Sequence, residues 1–159
     1  MKFLATLFLT TSLSCAAFAQ SVTVDVILNP MGDFKAKTGS VKGQATVKGD
    51  EVSAENIIVD LRTLKTGVEL RDKHTQKHLD TKAFPEAVLV SATGKGGKGK
   101  GKIKIKGVEK DVEGTYKVEG KTLKANFKLT LSDFGISDIN YMGVGVEDEV
   151  TLHVAVPVK

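Results

Sequence analysis

From Gln20 onward, nearly every segment of this chain alternates apolar and polar residues with a period of two. That spacing gathers the apolar set on one face of an extended strand. It does not fit an amphipathic helix, whose buried positions recur at three and four residues. Val22, Val24, Val26 and Leu28 share a face, with Thr23 and Asp25 on the other, and Asn29-Pro30-Met31-Gly32 has the composition of a type I turn. A long strand through Phe34 to Val47 sets Val41, Gly43, Ala45 and Val47 against Lys42, Gln44, Thr46 and Lys48. Gly49-Asp50 then closes a tight hairpin into a strand carrying Ile57, Val59 and Leu61. Val88, Val90 and Ala92 share a face further on, followed by Val112, Gly114, Tyr116 and Val118. Leu123, Ala125, Phe127, Leu129 and Leu131 form the next such set, and Val150, Leu152, Val154, Val156 and Val158 the last. With a strand near Ile103, this predicts about eight strands.

Only Val68 to Asp80 departs from the rhythm. Its residues suit a helix, Glu69 and Lys73 form a favourable i,i+4 pair, and the helix must end before Phe84-Pro85. Short strands, tight turns and one helix predict a closed up-and-down antiparallel barrel or a sandwich. An eight-stranded barrel has an interior wide enough for side chains or one small ligand.

The amino terminus reads as a targeting segment. Lys2 precedes an apolar run from Phe3 to Leu13, and Ala17-Phe18-Ala19 offers the small residues a signal peptidase reads. Residues 1–19 are expected to be removed as a signal peptide, leaving 20–159 as a single periplasmic domain without stable membrane insertion. The run is shorter than the roughly 20 residues of a transmembrane helix. The single cysteine, Cys15, lies upstream of that cut. A lipoprotein anchor at Cys15 is the alternative, but Ser12-Leu13-Ser14 puts its leucine one position too close. The domain would then fold without disulfides despite an oxidising compartment.

Residues 93–106 read TGKGGKGKGKIKIK. Gly94 and Gly99-Lys100 have phosphate-loop spacing, but Gly101 replaces the required hydroxyl and a strand follows in place of a helix. The lysines at 98, 100, 102, 104 and 106 stand at every second position, so a strand turns them outward as one solvated face. A formal net charge of +4 and the absence of tryptophan provide little for nucleic acid. On the inward side, Gly99, Gly101, Gly114 and Ala125 are small beside Ile103, Ile105, Tyr116 and Phe127. Small residues in such an apolar wall leave space for a ligand, or mark a bulge or close approach.

Catalytic signals are missing. No nucleophile elbow occurs, and Ser132-Asp133 lies at a strand end. No cofactor is indicated. His74 and His78 have i,i+4 spacing that suits a metal, yet Thr75 stands where a metalloprotease helix carries glutamate, and His153 falls on the outward face of the last strand. A metal- or haem-binding accessory protein using His74 and His78 is the competing functional reading.

Several segments together resemble the YceI-like family: Val59-Asp60-Leu61, Leu64-Lys65-Thr66-Gly67, Arg71-Asp72-Lys73-His74, Leu79-Asp80 and Phe84-Pro85-Glu86-Ala87. Residues 101–110 (GKIKIKGVEK) and 127–136 (FKLTLSDFGI) resemble its later strand segments. The resemblance implies an all-β, eight-stranded antiparallel lipocalin-like barrel with one short helix. It also implies non-catalytic binding of a long apolar lipid, a polyisoprenoid or isoprenoid quinone, for carriage or storage in the periplasm. The expected lumen is lined by Gly99, Gly101, Ile103, Ile105, Gly114, Tyr116, Ala125 and Phe127, with Arg71 and His74 at a polar head. The family's first strand commonly carries an aspartate followed by a His-Ser pair, and residues 22–30 carry neither that histidine nor that serine.

Overall fold

The computed structural model describes residues 20–159. The expected signal peptide and Cys15 lie outside the described residues. Eleven strand segments and one α-helix follow in order. They are β1 (Ser21–Asn29), β2 (Asp33–Thr38), β3 (Val41–Lys42), β4 (Ala45–Lys48), β5 (Glu51–Asp60), α1 (Glu69–Leu79), β6 (Glu86–Lys95), β7 (Lys98–Ile105), β8 (Val108–Glu119), β9 (Thr122–Thr130), β10 (Asn140–Tyr141) and β11 (Val144–Pro157). The sheet runs β2-β1-β11-β9-β8-β7-β6-β5-β3, with β4 also on β5 and β10 on β11.

Closure depends on residues 33–48. Their first part, β2, pairs antiparallel with β1, and their later parts, β3 and β4, pair with β5. One run thus passes from the first strand to the last in the sheet order and joins the two ends. Counted by such runs, the wall is the expected eight-stranded barrel, with β10 a small addition. The handover bends the chain and shifts its phase: Ala36 and Thr38 are buried, then Val41 and Ala45. Gly43 sits at φ +119, and a Cβ there would lie 2.6 Å from Ile57 Cδ1. Only glycine meets both demands. The single long strand expected through Phe34 to Val47 is therefore three segments.

A second phase shift corrects the face assigned to β6. The β6–β7 register slips between Leu89 and Ser91, a bulge at Val90. Ala87, Leu89 and Ala92 consequently line the interior, and Val88 and Val90 do not join Ala92 there. The Asn29–Gly32 turn also differs from type I. Its Asn29–Pro30 bond is cis, and Leu28 N–H donates to the Gly32 carbonyl at 2.8 Å.

The lysines of β7 are outward as expected, but they are not a free basic patch. Lys100, Lys102 and Lys104 stand opposite Glu113, Asp111 and Glu109 of β8, and Lys102 Nζ lies 3.5 Å from Asp111 and 3.7 Å from Glu109. Lys106 leaves the face altogether. It sits in the following turn and donates to the carbonyls of His78 and Gly135, both at 3.3 Å.

The apolar interior collects into two clusters. One, nearer α1, contains Val26, Leu61, Ile103, Ile105, Leu129 and Leu152. The other, toward the opposite end, contains Val22, Val41, Ala45, Ile57, Leu123 and Val156. Phe134 and Ile57, each 2 % exposed, are the most deeply buried large side chains, and the two clusters leave a hollow between them.

Candidate functional site

The hollow is a cavity of about 560 Å³ running between the two clusters, within the usual range for small-molecule sites of roughly 300–1,000 Å³. All eight residues expected at the lumen line it: Gly99, Gly101, Ile103 and Ile105 from β7, Gly114 and Tyr116 from β8, and Ala125 and Phe127 from β9. Arg71 and His74 line it from α1. The opposite wall, from β1 and β11, contributes Val24, Leu152 and Val154, and β2 contributes Phe34. Except for Phe34, those strand residues share the inward phase that the sequence alternation gives.

Of the accounts given for the glycines, the geometry at Gly101 and Gly114 favours close approach of a neighbouring strand. A Cβ on Gly101 would meet the Ser91 carbonyl at 2.5 Å and Ala92 Cβ at 2.8 Å, where β6 crowds in after the Val90 bulge. A Cβ on Gly114 would collide with the Asn126 carbonyl and with Phe127 Cβ. Gly94, Gly99 and Gly114 form one cross-strand row, and the Tyr116 ring lies over its Gly94 and Gly99 members. These positions lack side chains because neighbouring backbone and a ring already occupy the space.

Polar groups reach the cavity from the strands, among them Ser53, Thr93 and Asn126, and from the helix. Arg71, His74, Thr75 and His78 project from α1 at helical spacing. Asp72, buried on the same helix, ties α1 to the preceding loop by accepting from Thr66 N–H and Thr66 Oγ1, both at 2.7 Å. The Thr66 backbone bond is the main reason the Asp72 carboxyl is held below its ordinary value. Gln76 Nε2 donates to the Arg62 carbonyl at 3.1 Å. The His74 ring meets Tyr141 edge-on at 4.9 Å, and the Arg71 guanidinium stands 4.5 Å over the Phe34 ring. Burial lowers the His78 pKa, helped by His74, Lys77 and Lys106 nearby.

The mouth beside α1 is bordered by exposed apolar side chains, including Leu70, Tyr141, Met142 and Val144. No helix among the described residues is long and apolar enough to cross a membrane. The three histidines do not converge. His153 is on the outer surface, bonded to Asn126 at 2.5 Å and Asp25 at 3.0 Å. Among the described residues no group of three or more His, Cys, Asp or Glu is placed to hold a metal ion.

A closed wall, an apolar lumen and a helix across one end are now in place, and the sequence profile of the YceI-like domain matches residues 12–158. The chain belongs to the YceI-like family. Two solved structures share this YceI-like protein's fold at low identity. The crystal structure of Burkholderia cenocepacia BcnA has a TM-score of 0.63 at 18% identity, covering 84% of this chain and 94% of that one. A polyisoprenoid binding domain from Saccharophagus degradans, implicated in plant cell wall breakdown, has a TM-score of 0.58 at 11% identity, covering 88% and 93%. No curated protein matches the chain significantly.

Proposed function

We propose that this YceI-like protein is a non-catalytic carrier or store for a long apolar lipid of the isoprenoid class, working in the periplasm after removal of residues 1–19. The observation that carries the reading is the cavity of about 560 Å³ with its almost wholly apolar wall. The polyisoprenoid-binding description of the Saccharophagus degradans domain supports the choice of lipid. Binding would be driven by removing hydrocarbon from water. Each methylene-sized group contributes about 0.8 kcal/mol, so a five-carbon unit contributes about 4 kcal/mol gross. Association costs of about 4–15 kcal/mol mean that several such units are needed for useful affinity. Arg71 and His74 stand where a head group would lie. The wall supplies neither a nucleophile beside a base nor a set of metal ligands, and three of the four β7 lysines stand opposite acids of β8, so neither catalysis nor nucleic acid is part of the reading.

The test is binding of isoprenoid alcohols of increasing chain length to the parent and to Ala125→Phe, which fills the lumen from its wall. Affinity should rise with each unit until the cavity is full, and the variant should fold and bind weakly. Affinity independent of chain length, or a folded variant that binds as well as the parent, overturns the reading.

A further inference from the structure

At the end away from α1 the lumen meets the cluster that contains Val22, Ile57, Leu123 and Val156, and Tyr116 of β8 packs against it. The Tyr116 N–H donates to the Gly97 carbonyl in the β6–β7 turn at 2.9 Å, which fixes the residue beside that far hairpin. Val118, the next inward position along β8, is 40% exposed and lies outside the cavity. On this strand Tyr116 is therefore the last side chain that covers the lumen. Its ring reaches across two strands. A Cβ on Gly99 of β7 would lie 3.6 Å from Tyr116 Cδ1, and one on Gly94 of β6 would lie 3.0 Å from the same atom and collide with Cε1. Neither glycine has a positive φ, so the torsion does not call for glycine at these positions, and the ring takes the space a side chain would fill. The Tyr116 hydroxyl makes no hydrogen bond among the described residues. Packing alone holds the ring on its glycine seat.

We infer that Tyr116 is the stop that sets the longest chain this lumen accepts. Its ring, laid over Gly99 and Gly94, is the end wall against which the tail of the apolar ligand comes to rest. This inference rests on the lumen binding proposed above and adds a determinant of chain length to it. A tail that has not reached the ring gains from every further carbon it buries, whereas a tail that has reached it can place no more carbon out of water. The phenol ring is about the size of one isoprene unit, so its removal admits one more.

The experiment titrates a ladder of isoprenoid alcohols, from geraniol through farnesol and geranylgeraniol to longer members, into the parent and three variants, with thermal unfolding alongside. In the parent, affinity should rise roughly 10-fold or more with each unit that finds room and then stop rising. In Tyr116→Ala that limit should move up by one unit, so that the first alcohol too long for the parent binds the variant roughly 10-fold more tightly. Tyr116→Leu leaves a smaller void and keeps the test open if the alanine variant does not fold; it should show part of the same gain. Tyr116→Phe keeps the ring and should keep the parent's limit. A limit unmoved in the folded alanine or leucine variant, or moved in Tyr116→Phe, overturns the stop and leaves the lumen reading standing. An equal loss of affinity at every chain length would make the ring a packing element only, and that also overturns the inference. Failure of every alcohol to bind the parent removes the lumen reading and this one with it.

Discussion

Replacing Gly101 with alanine separates two accounts of the small residues in the wall. If Gly101 leaves room for a ligand, one methyl group should be accepted by the fold and felt only in binding. The geometry says otherwise. The added Cβ would stand 2.5 Å from the Ser91 carbonyl, 2.8 Å from Ala92 Cβ and 3.1 Å from Ala92 Cα, all on the adjacent strand. Two of these are backbone atoms, which cannot rotate away. Gly101 has no positive φ, so the cost is crowding rather than torsional strain. Overpacking of this kind costs about 1–3 kcal/mol. Against it stands about 0.4–1 kcal/mol gained because alanine restricts the unfolded chain. The expected net loss lies between about 0 and 2.6 kcal/mol, centred near 1 kcal/mol, a fall in melting temperature of roughly 2–5 °C at that centre. Gly39→Ala is the control: it too has no positive φ, and its nearest contact would be an ordinary 3.6 Å to the Gln20 carbonyl. Thermal and urea unfolding of both variants, with isoprenoid binding measured alongside, decide the matter. If Gly101→Ala is as stable as Gly39→Ala, the close-approach reasoning is refuted, and loss of binding in that stable variant would restore the room-making account.

Two further outcomes follow from the exterior and from α1. Lys100→Glu with Lys104→Glu places like charges opposite Glu113 and Glu109, yet on an exposed face the loss of stability should stay near 1 kcal/mol and lipid affinity should not change. Chemical denaturation and binding titration check both. His78 has a lowered pKa in the folded state, so the unfolded chain takes up more protons as pH falls below about 6.5. Stability should therefore decline from that pH downward and level off below the folded pKa, and His78→Gln should flatten this part of the stability-pH curve. Asp72, also lowered, adds a loss at still lower pH, as the unfolded chain's carboxylate takes up a proton below about 3.9 while the folded one still holds its charge.

The parts of the fold legible in the sequence are those where alternation runs unbroken. On β7, β8, β9 and β11 the inward residues Ile103, Tyr116, Phe127 and Leu152 follow directly from a period of two. Where a bulge inserts one residue, as at Val90, the apolar pattern of Val88-Leu89-Val90 fits either face, and local composition cannot say which neighbour slips. The run from Phe34 to Val47 failed for a related reason. Its alternation is set by two partners in succession, and the phase shift near Gly39 belongs to the handover between them. The helix was visible because it interrupts the rhythm, but the pairing of Arg71 with Phe34 joins residues far apart in the chain and leaves no local signal. The glycines carried a real signal that something small is required. Whether the occupant of that space is a ligand or a neighbouring backbone is decided by the β6–β7 and β8–β9 crossings, which sequence spacing does not encode.

The handover of residues 33–48 also determines where the wall can yield. Near α1, β2 has left its place beside β5, and the gap is spanned by the loop after β5. There the Lys37 and Lys65 backbones exchange hydrogen bonds of 2.8 and 2.9 Å, and the Thr38 and Thr63 hydroxyls meet at 2.6 Å. Apart from the matching joint at the far end, where Ala45 and Val158 form a single bridge, adjacent strands are stitched along their length, as β9 and β11 are from Glu149↔Thr130 to Pro157↔Thr122. Spreading the barrel at most positions means undoing a ladder, whereas spreading it at this joint releases a handful of contacts beside the mouth. The girth of the opening is therefore its least costly dimension to change, and a branched chain thicker than the resting aperture has one side of the wall against which to push.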